Sequence, residues 1–327
     1  MTARDLLNAK NLQVHFHVDD KIHKIVNGVT LCVERGETLG ITGESGSGKS
    51  VLAHSLINLV DPSGEIVGGE VWFNDRDLLK LDDKQLNRIR GEEIGLIPQN
   101  PTASHDPLMF IGLQSGEVLE EHRKAKREKI RQQVIKYLGK ASVPDPGKSY
   151  VSYAHEFSEG MNQRILIAAS LLCAPSLLIA DEPTASLDMT IQRQILELLK
   201  EMKRSFGLSM VYITHDLGVI AEMSDRVAVM YAGKVVECAD VYSIFDNPLH
   251  PYTKGLLASY LPLRKRIKLG DIEPIPGIPP NGSFRPDYCS FAPRCKYATP
   301  LCHQKIPLTT EVNPGHFVQC LQVDSIE

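Results

Sequence analysis

Gly43-Glu44-Ser45-Gly46-Ser47-Gly48-Lys49-Ser50 fits the pattern G-x-x-x-x-G-K-S/T, and its reading decides the fold of the chain. The apolar run Leu39, Gly40 and Ile41 leads into it, and a helix-like stretch, Val51 to Val60, follows. Strand, loop and helix in that order form the setting in which this pattern binds phosphate. Glycines let backbone N–H groups turn inward around phosphate oxygens at a helix N-terminus, where the helix dipole favours negative charge. Lys49 then pairs with the β- and γ-phosphates of a nucleotide, and the Ser50 hydroxyl with Mg²⁺.

A short glycine-rich pattern can arise by chance, so support has to come from elsewhere in the chain. Ser176-Leu177-Leu178-Ile179-Ala180-Asp181-Glu182 reads as a buried strand ending in two carboxylates, with Pro183-Thr184-Ala185-Ser186-Leu187-Asp188 directly after it. Asp181 is suited to hold Mg²⁺ through its water shell, and Glu182 to polarise an attacking water. Gln99 in Ile97-Pro98-Gln99-Asn100-Pro101, the segment Phe157-Ser158-Glu159-Gly160-Met161, and His215 in Ile213-Thr214-His215-Asp216 complete an ordered set.

The order of these segments resembles the ABC-transporter ATPase family over roughly the first 255 residues. The remainder resembles the dipeptide, oligopeptide and nickel-importer branch of that family. The resemblance implies an ATPase that works in a pair, each ATP lying between one chain's phosphate loop and the other's signature segment. It places Gln99 at Mg²⁺, the attacking water and the membrane partner, and His215 at the γ-phosphate. It further assigns Ser158, Glu159 and Gly160 to the signature, Asp188 to the dimer interface, and Phe16 to stacking on adenine. The partners so implied are a second, different ATPase subunit, two transmembrane permease subunits and an external binding protein.

The usual signature is Leu-Ser-Gly-Gly, so Glu159 stands where a glycine is expected. A carboxylate there crowds the contact and repels the γ-phosphate unless it turns to solvent. The resulting expectation is an unequal pair of ATP sites, with the one completed by Ser158 and Gly160 hydrolysing poorly.

Patterning outside the motifs gives an α/β class. Strand-like segments at Leu12 to Phe16, Gly28 to Val33, Thr38 to Thr42 and Gly69 to Phe73 suit a small sheet beside the phosphate loop. Residues from about 101 to 167 are charged and helix-favouring, which predicts a helical subdomain. Strands return at Ser176 to Ala180, Ser209 to Ile213 and Arg226 to Tyr231, and Ile191, Ile195, Leu198, Leu199 and Met202 mark the apolar face of a helix between the first two. Strand, helix and strand predict a parallel core. The expected organisation is an ATPase domain over residues 1–255 and a small loop-rich extension over 256–327, which holds ten of the twenty prolines.

That extension also holds Cys289, Cys295, Cys302 and Cys320, spaced C-x5-C-x6-C-x17-C. Disulfides are disfavoured in a reducing cytoplasm, and a small loop-rich segment needs a staple, which four thiolates on a metal centre supply. Zinc sites usually pair ligands as C-x2-4-C, a spacing missing here, so zinc stays open but is not favoured, and the wider gaps leave room for a larger cluster. The family resemblance points to a 4Fe–4S cluster on these cysteines. His303 and His316 lie close by in sequence and could substitute as ligands, though the simpler reading makes them surface residues. Cys32, Cys173 and Cys238 are scattered and read as buried apolar residues.

With 327 residues, 43% of them hydrophobic, the chain can bury a full core. A net charge of -4 gives no basic surface for nucleic acid. No window reaches the roughly eighteen apolar residues of a membrane span, and the start lacks the apolar stretch of a signal peptide. The expected location is the cytoplasmic face of the inner membrane, as a peripheral subunit. The resemblance implies an ATP-hydrolysing subunit that powers import of di- or oligopeptides, with nickel or a metal chelate as the alternative cargo and a soluble ABC ATPase in DNA repair or translation as a lower-ranked function.

Overall fold

A computed structural model describes residues 5–19, 21–259, 274–280 and 287–325. The first strands are β1 (Asp5–Val18), β2 (Lys21–Glu34), β3 (Thr38–Thr42), β4 (Gly64–Phe73), β5 (Arg76–Asp77) and β6 (Ile94–Ile97). They are followed by β7 (Leu177–Asp181), β8 (Ser209–Ile213), β9 (Arg226–Tyr231), β10 (Lys234–Asp240), β11 (Thr310–Asn313) and β12 (His316–Val318). Helices α1 (Lys49–Ser55), α2 (Asp83–Ile89), α3 (Ile111–Arg123), α4 (Arg127–Lys140) and α5 (Pro146–Ser149) precede α6 (Glu159–Ser170) and α7 (Met189–Phe206). The last three are α8 (Leu217–Met223), α9 (Val241–Asp246) and α10 (Pro251–Ala258).

These elements fall into two compact units. The first comprises the described residues of Met1–Val33, Thr38–Leu79 and Thr214–Glu327. It contains an antiparallel sheet in the order β2-β1-β4-β5, with Leu7 opposite Phe73 and Val14 opposite Ile66. Its other strands run β11-β12-β10-β9-β3, with β3 parallel to β9 and the rest antiparallel. All five residues of β3 are buried, as expected of an apolar run covered on both faces. The phosphate-binding pattern begins at the end of this strand.

The second unit, Glu34–Glu37 and Lys80–Ile213, is the parallel run β8-β7-β6 together with helices α2 to α7. Leu177 lies opposite Ser209 on one side and Ile94 on the other, and every residue of β7 and β8 is buried. Helix α7 connects the two strands with Ile195, Leu198, Leu199 and Met202 buried. Asp188 caps its start, Lys203 and Arg204 suit the dipole in its last turn, and Gly207 ends it in the left-handed conformation. The helix-favouring stretch of the sequence becomes α3 to α6.

The structure adds what the pattern did not show. Strand β6 has only four residues, and the hairpin β11–β12 adds two more short strands beside β10. His316, read as a surface residue, is 3% exposed, and its Nε2 lies 2.8 Å from Oε1 of the fully buried Glu237. The same carboxylate accepts the backbone N–H groups of Leu249 (2.7 Å) and His250 (3.0 Å). Burial alone would raise the Glu237 pKa, but the hydrogen bonds, led by His316, more than offset it and hold the group below the usual carboxylate range.

His250 caps α10 by accepting the Tyr252 N–H on Nδ1, which requires a neutral ring. Complete burial lowers its pKa from 6.5 to about 4. An unfolded chain therefore takes up a proton near pH 6.5 that the folded chain refuses until about pH 4. Stability is full above pH 6.5 and falls by about 3 kcal/mol on the way to pH 4, with Glu237 acting in the same direction at lower pH. Melting of the full-length protein between pH 7 and 4 should show this fall, and His250→Gln should flatten it; an unchanged slope in the variant would remove His250 as the cause.

Candidate nucleotide site

In the first unit, residues 43–50 form a loop running into α1. Gly43, Gly46 and Gly48 have φ of 148°, 78° and 100°. A Cβ on Gly43 would lie 2.1 Å from the Met230 carbonyl oxygen, and one on Gly48 2.6 Å from that of Ile25. Both positions therefore need glycine for backbone conformation and for space. Lys49 is 6% exposed and donates to the carbonyls of Gly43 (2.8 Å) and Glu44 (3.0 Å), so its ammonium is held over the loop. Ser47 Oγ is buried without a hydrogen-bond partner among the described residues. A glycine cradle, a held ammonium and an orphaned hydroxyl fit a bound phosphate group. Ser50 follows Lys49 in the first turn of α1.

Phe16, the expected adenine platform, lies in β1 opposite Gly64. A Cβ on Gly64 would fall 2.7 Å from its ring, so the half-buried ring lies across that glycine. His215 is exposed, between Thr214, whose N–H donates to the Ile41 carbonyl of β3 (3.2 Å), and Asp216, which caps α8.

In the second unit, Asp181 ends β7 at 1% exposure. Glu182 follows with φ of 45°, a conformation that costs about 1–3 kcal/mol in a non-glycine residue and recurs at functional sites. Its N–H donates to the Ile213 carbonyl (2.9 Å). Gln99 Nε2 donates to Glu182 Oε2 at 3.3 Å across 83 residues of sequence, so the structure brings together this glutamine and carboxylate.

The signature segment opens α6. Ser158 caps the helix through its hydroxyl, and Glu159 lies exposed in the first turn, where the dipole favours a carboxylate. Gly160 has a packing reason for being glycine: a Cβ there would meet Ile191 Cγ2 at 2.6 Å. Asp188 accepts the N–H groups of Thr190 (2.9 Å) and Ile191 (3.1 Å), a capping role beside the interface role expected for it.

The expectation of an iron–sulfur or other metal cluster on Cys289, Cys295, Cys302 and Cys320 does not hold. Among the described residues, which include all four, no group of three or more His, Cys, Asp or Glu side chains is arranged to hold a metal ion. Burial, and beyond it the nearness of the other cysteines, pushes the Cys289 and Cys295 thiols up and that of Cys320 to about 11. The spacing suggested that these cysteines gather, but it could not show whether their side chains form a ligand set.

Sequence reasoning also missed a set of contacts on the phosphate loop. Arg294 grips both carboxylate oxygens of Glu44, at 2.7 and 3.0 Å, and the Glu44 N–H donates to the Tyr252 hydroxyl at 2.8 Å. The motif leaves the second residue of the loop unspecified, so nothing in it pointed to a partner.

Gly43→Ala should lower the affinity for Mg-ATP at least about a hundredfold, because clash and backbone strain both act on the cradle. Gly147→Ala is the control, since a Cβ there meets nothing within 4 Å. Titration calorimetry of both variants checks this, and equal affinities would show that the cradle does not bind the nucleotide.

Comparison with known proteins bears on the family. A family described as ABC transporter matches residues 26–185, and one described as oligopeptide/dipeptide transporter, C-terminal region, matches residues 236–302. The dipeptide transport ATP-binding protein DppD of Bacillus subtilis is 44% identical over 96% of this chain and 94% of its own length. The oligopeptide transport ATP-binding protein OppD of Escherichia coli is 43% identical over 98% and 94%. Among solved structures, a dimeric bacterial ABC transporter cassette is similar with a TM-score of 0.65 and 28% identity, over 72% of this chain and 98% of that one. With its ATPase motifs in place and full-length relatives at this identity, the chain belongs to the ABC-transporter ATP-binding proteins, in the branch that carries the oligopeptide/dipeptide transporter C-terminal region.

Proposed function

We propose that this chain is the ATP-hydrolysing subunit of an importer that carries dipeptides or oligopeptides across the cytoplasmic membrane. The observation that carries the reading is the union, in one chain, of the ATPase motifs and a C-terminal region of the peptide-transporter type. Relatives named for dipeptide and oligopeptide transport favour peptides over nickel.

In this reading Lys49 pairs with the β- and γ-phosphates, and inward-facing N–H groups of the loop hold their oxygens. Ser50, Asp181 and Gln99 would hold Mg²⁺, which neutralises phosphate charge when bound. Glu182 takes up hydrogen-bonding to the attacking water, Gln99 keeps the Glu182 carboxylate oriented, and His215 reaches the γ-phosphate. Phe16 stacks on adenine.

The chain works beside a second ATPase subunit, with two permease subunits and an external binding protein, at the inner face of the membrane. None of the described helices is long and apolar enough to cross a membrane, which supports a peripheral place. Glu159 favours a heterodimer: the loop and carboxylates of this chain meet the partner's intact signature, and Ser158, Glu159 and Gly160 complete a weaker site in return. Asp188 then lies at the interface between the two.

Reconstitution with the permeases and binding protein in proteoliposomes is the test. Di- or oligopeptides should stimulate hydrolysis and enter the vesicles, and Glu182→Gln should stop both, while the same change in the partner's carboxylate costs far less. Stimulation by nickel alone would overturn the peptide reading, and equal losses from the two changes would overturn the asymmetry.

A further inference from the structure

Glu44 lies between the first glycine and Ser45 of the phosphate loop, yet its strongest contacts are made some 250 residues downstream. The Arg294 guanidinium meets the carboxylate in a two-pronged pair at 2.7 and 3.0 Å, the geometry in which such pairs are strongest. Arg294 is itself fixed: its Nε donates to the Pro276 carbonyl at 2.8 Å, it lies over the Tyr231 ring, and it is only 8% exposed. The backbone of Glu44 is held as well, by the hydroxyl of the fully buried Tyr252. Tyr231, Tyr252 and Phe291 pack their rings against one another, with centroids 4.7 to 5.5 Å apart, and so tie both contacts to one apolar cluster.

On the other side of the same residue, the Glu44 carbonyl accepts the Lys49 ammonium. Glu44 is thus a junction between the amine that meets phosphate and an arginine from the C-terminal segment. It is also the only acidic side chain within the loop sequence, where an unpaired carboxylate would repel an incoming polyphosphate. The Glu44 pair raises the pKa of Arg294, so the neutralising charge is permanent.

We propose that Arg294 is a positioning residue for nucleotide binding, which acts through Glu44 by neutralising its carboxylate and fixing the phosphate loop. The C-terminal segment is then a working part of the nucleotide site. This inference rests on the reading of residues 43–50 as that site. Lysine is no substitute for Arg294, because a single ammonium cannot make the fork.

The test is titration calorimetry of Mg-ATP and Mg-ADP into the full-length chain and its variants, with circular dichroism to check folding. Arg294→Ala should weaken ATP binding about tenfold and ADP binding less, since the exposed carboxylate acts on phosphate charge. Arg294→Lys should fall between that and the unchanged protein, and keeps the test open if the alanine variant does not fold. Adding Glu44→Gln to Arg294→Ala should return affinity to within about threefold of the starting protein, because the unpaired charge is gone. Tyr231→Phe, which removes a different Arg294 contact, should bind ATP unchanged.

A purely architectural pair predicts otherwise: a lower melting temperature with ATP affinity intact, or a loss of affinity that Glu44→Gln does not rescue. Either result overturns the proposal. Lys49→Ala separates the two readings, since retention of ATP binding there would instead overturn the assignment of the loop.

Discussion

A phosphate loop works only if successive backbone N–H groups face one point, and the conformations that achieve this are closed to most side chains. Three glycines at positive φ meet that constraint here, and two of them sit where a Cβ would strike the carbonyls of Met230 and Ile25. The surrounding unit serves the same end. A fully buried β3 delivers the chain to the loop at a fixed point, and the backbone of β9 closes against its first glycine.

The second constraint is electrostatic. Polyphosphate chemistry needs positive charge where the phosphates sit and carboxylates where the metal and water sit, so acidic groups must be placed with care. Asp181 and Glu182 are placed by strand β7, with a strained backbone at Glu182 and the Gln99 amide on its carboxylate. Glu44 would be an acid in the wrong place, and Arg294 answers it. Buried Glu237, His250 and His316 stabilise the frame from which Tyr252 reaches the loop. Acidification should therefore loosen this frame, since His250 must charge as the chain unfolds.

Much of this was legible in the sequence, for identifiable reasons. Strands β3, β7 and β8 are buried at every position and so carry short runs of apolar residues with polar residues only at their ends, and α7 shows a clean helical stripe. The family resemblance singled out Gln99 and Glu182 separately, and the hydrogen bond between them, at 3.3 Å, is what the structure adds. The short strands β6, β11 and β12 were invisible because three or four residues cannot display a period. Arg294 was invisible because a contact across 250 positions leaves no local mark, and the neighbouring cysteines drew the reading to a metal. The cysteine cluster shows the same limit from the other side: spacing suggested ligation, while the side-chain arrangement among the described residues does not provide it.

The central claim is that this chain hydrolyses ATP with Glu182 as the group that orients and activates water. The most direct measurement is Mg-ATP affinity beside steady-state hydrolysis for Glu182→Gln in the assembled ATPase pair. Affinity should stay within about threefold while turnover falls about 10²–10⁴-fold, the range for loss of a general base. Turnover within about threefold of the unchanged pair would contradict the account.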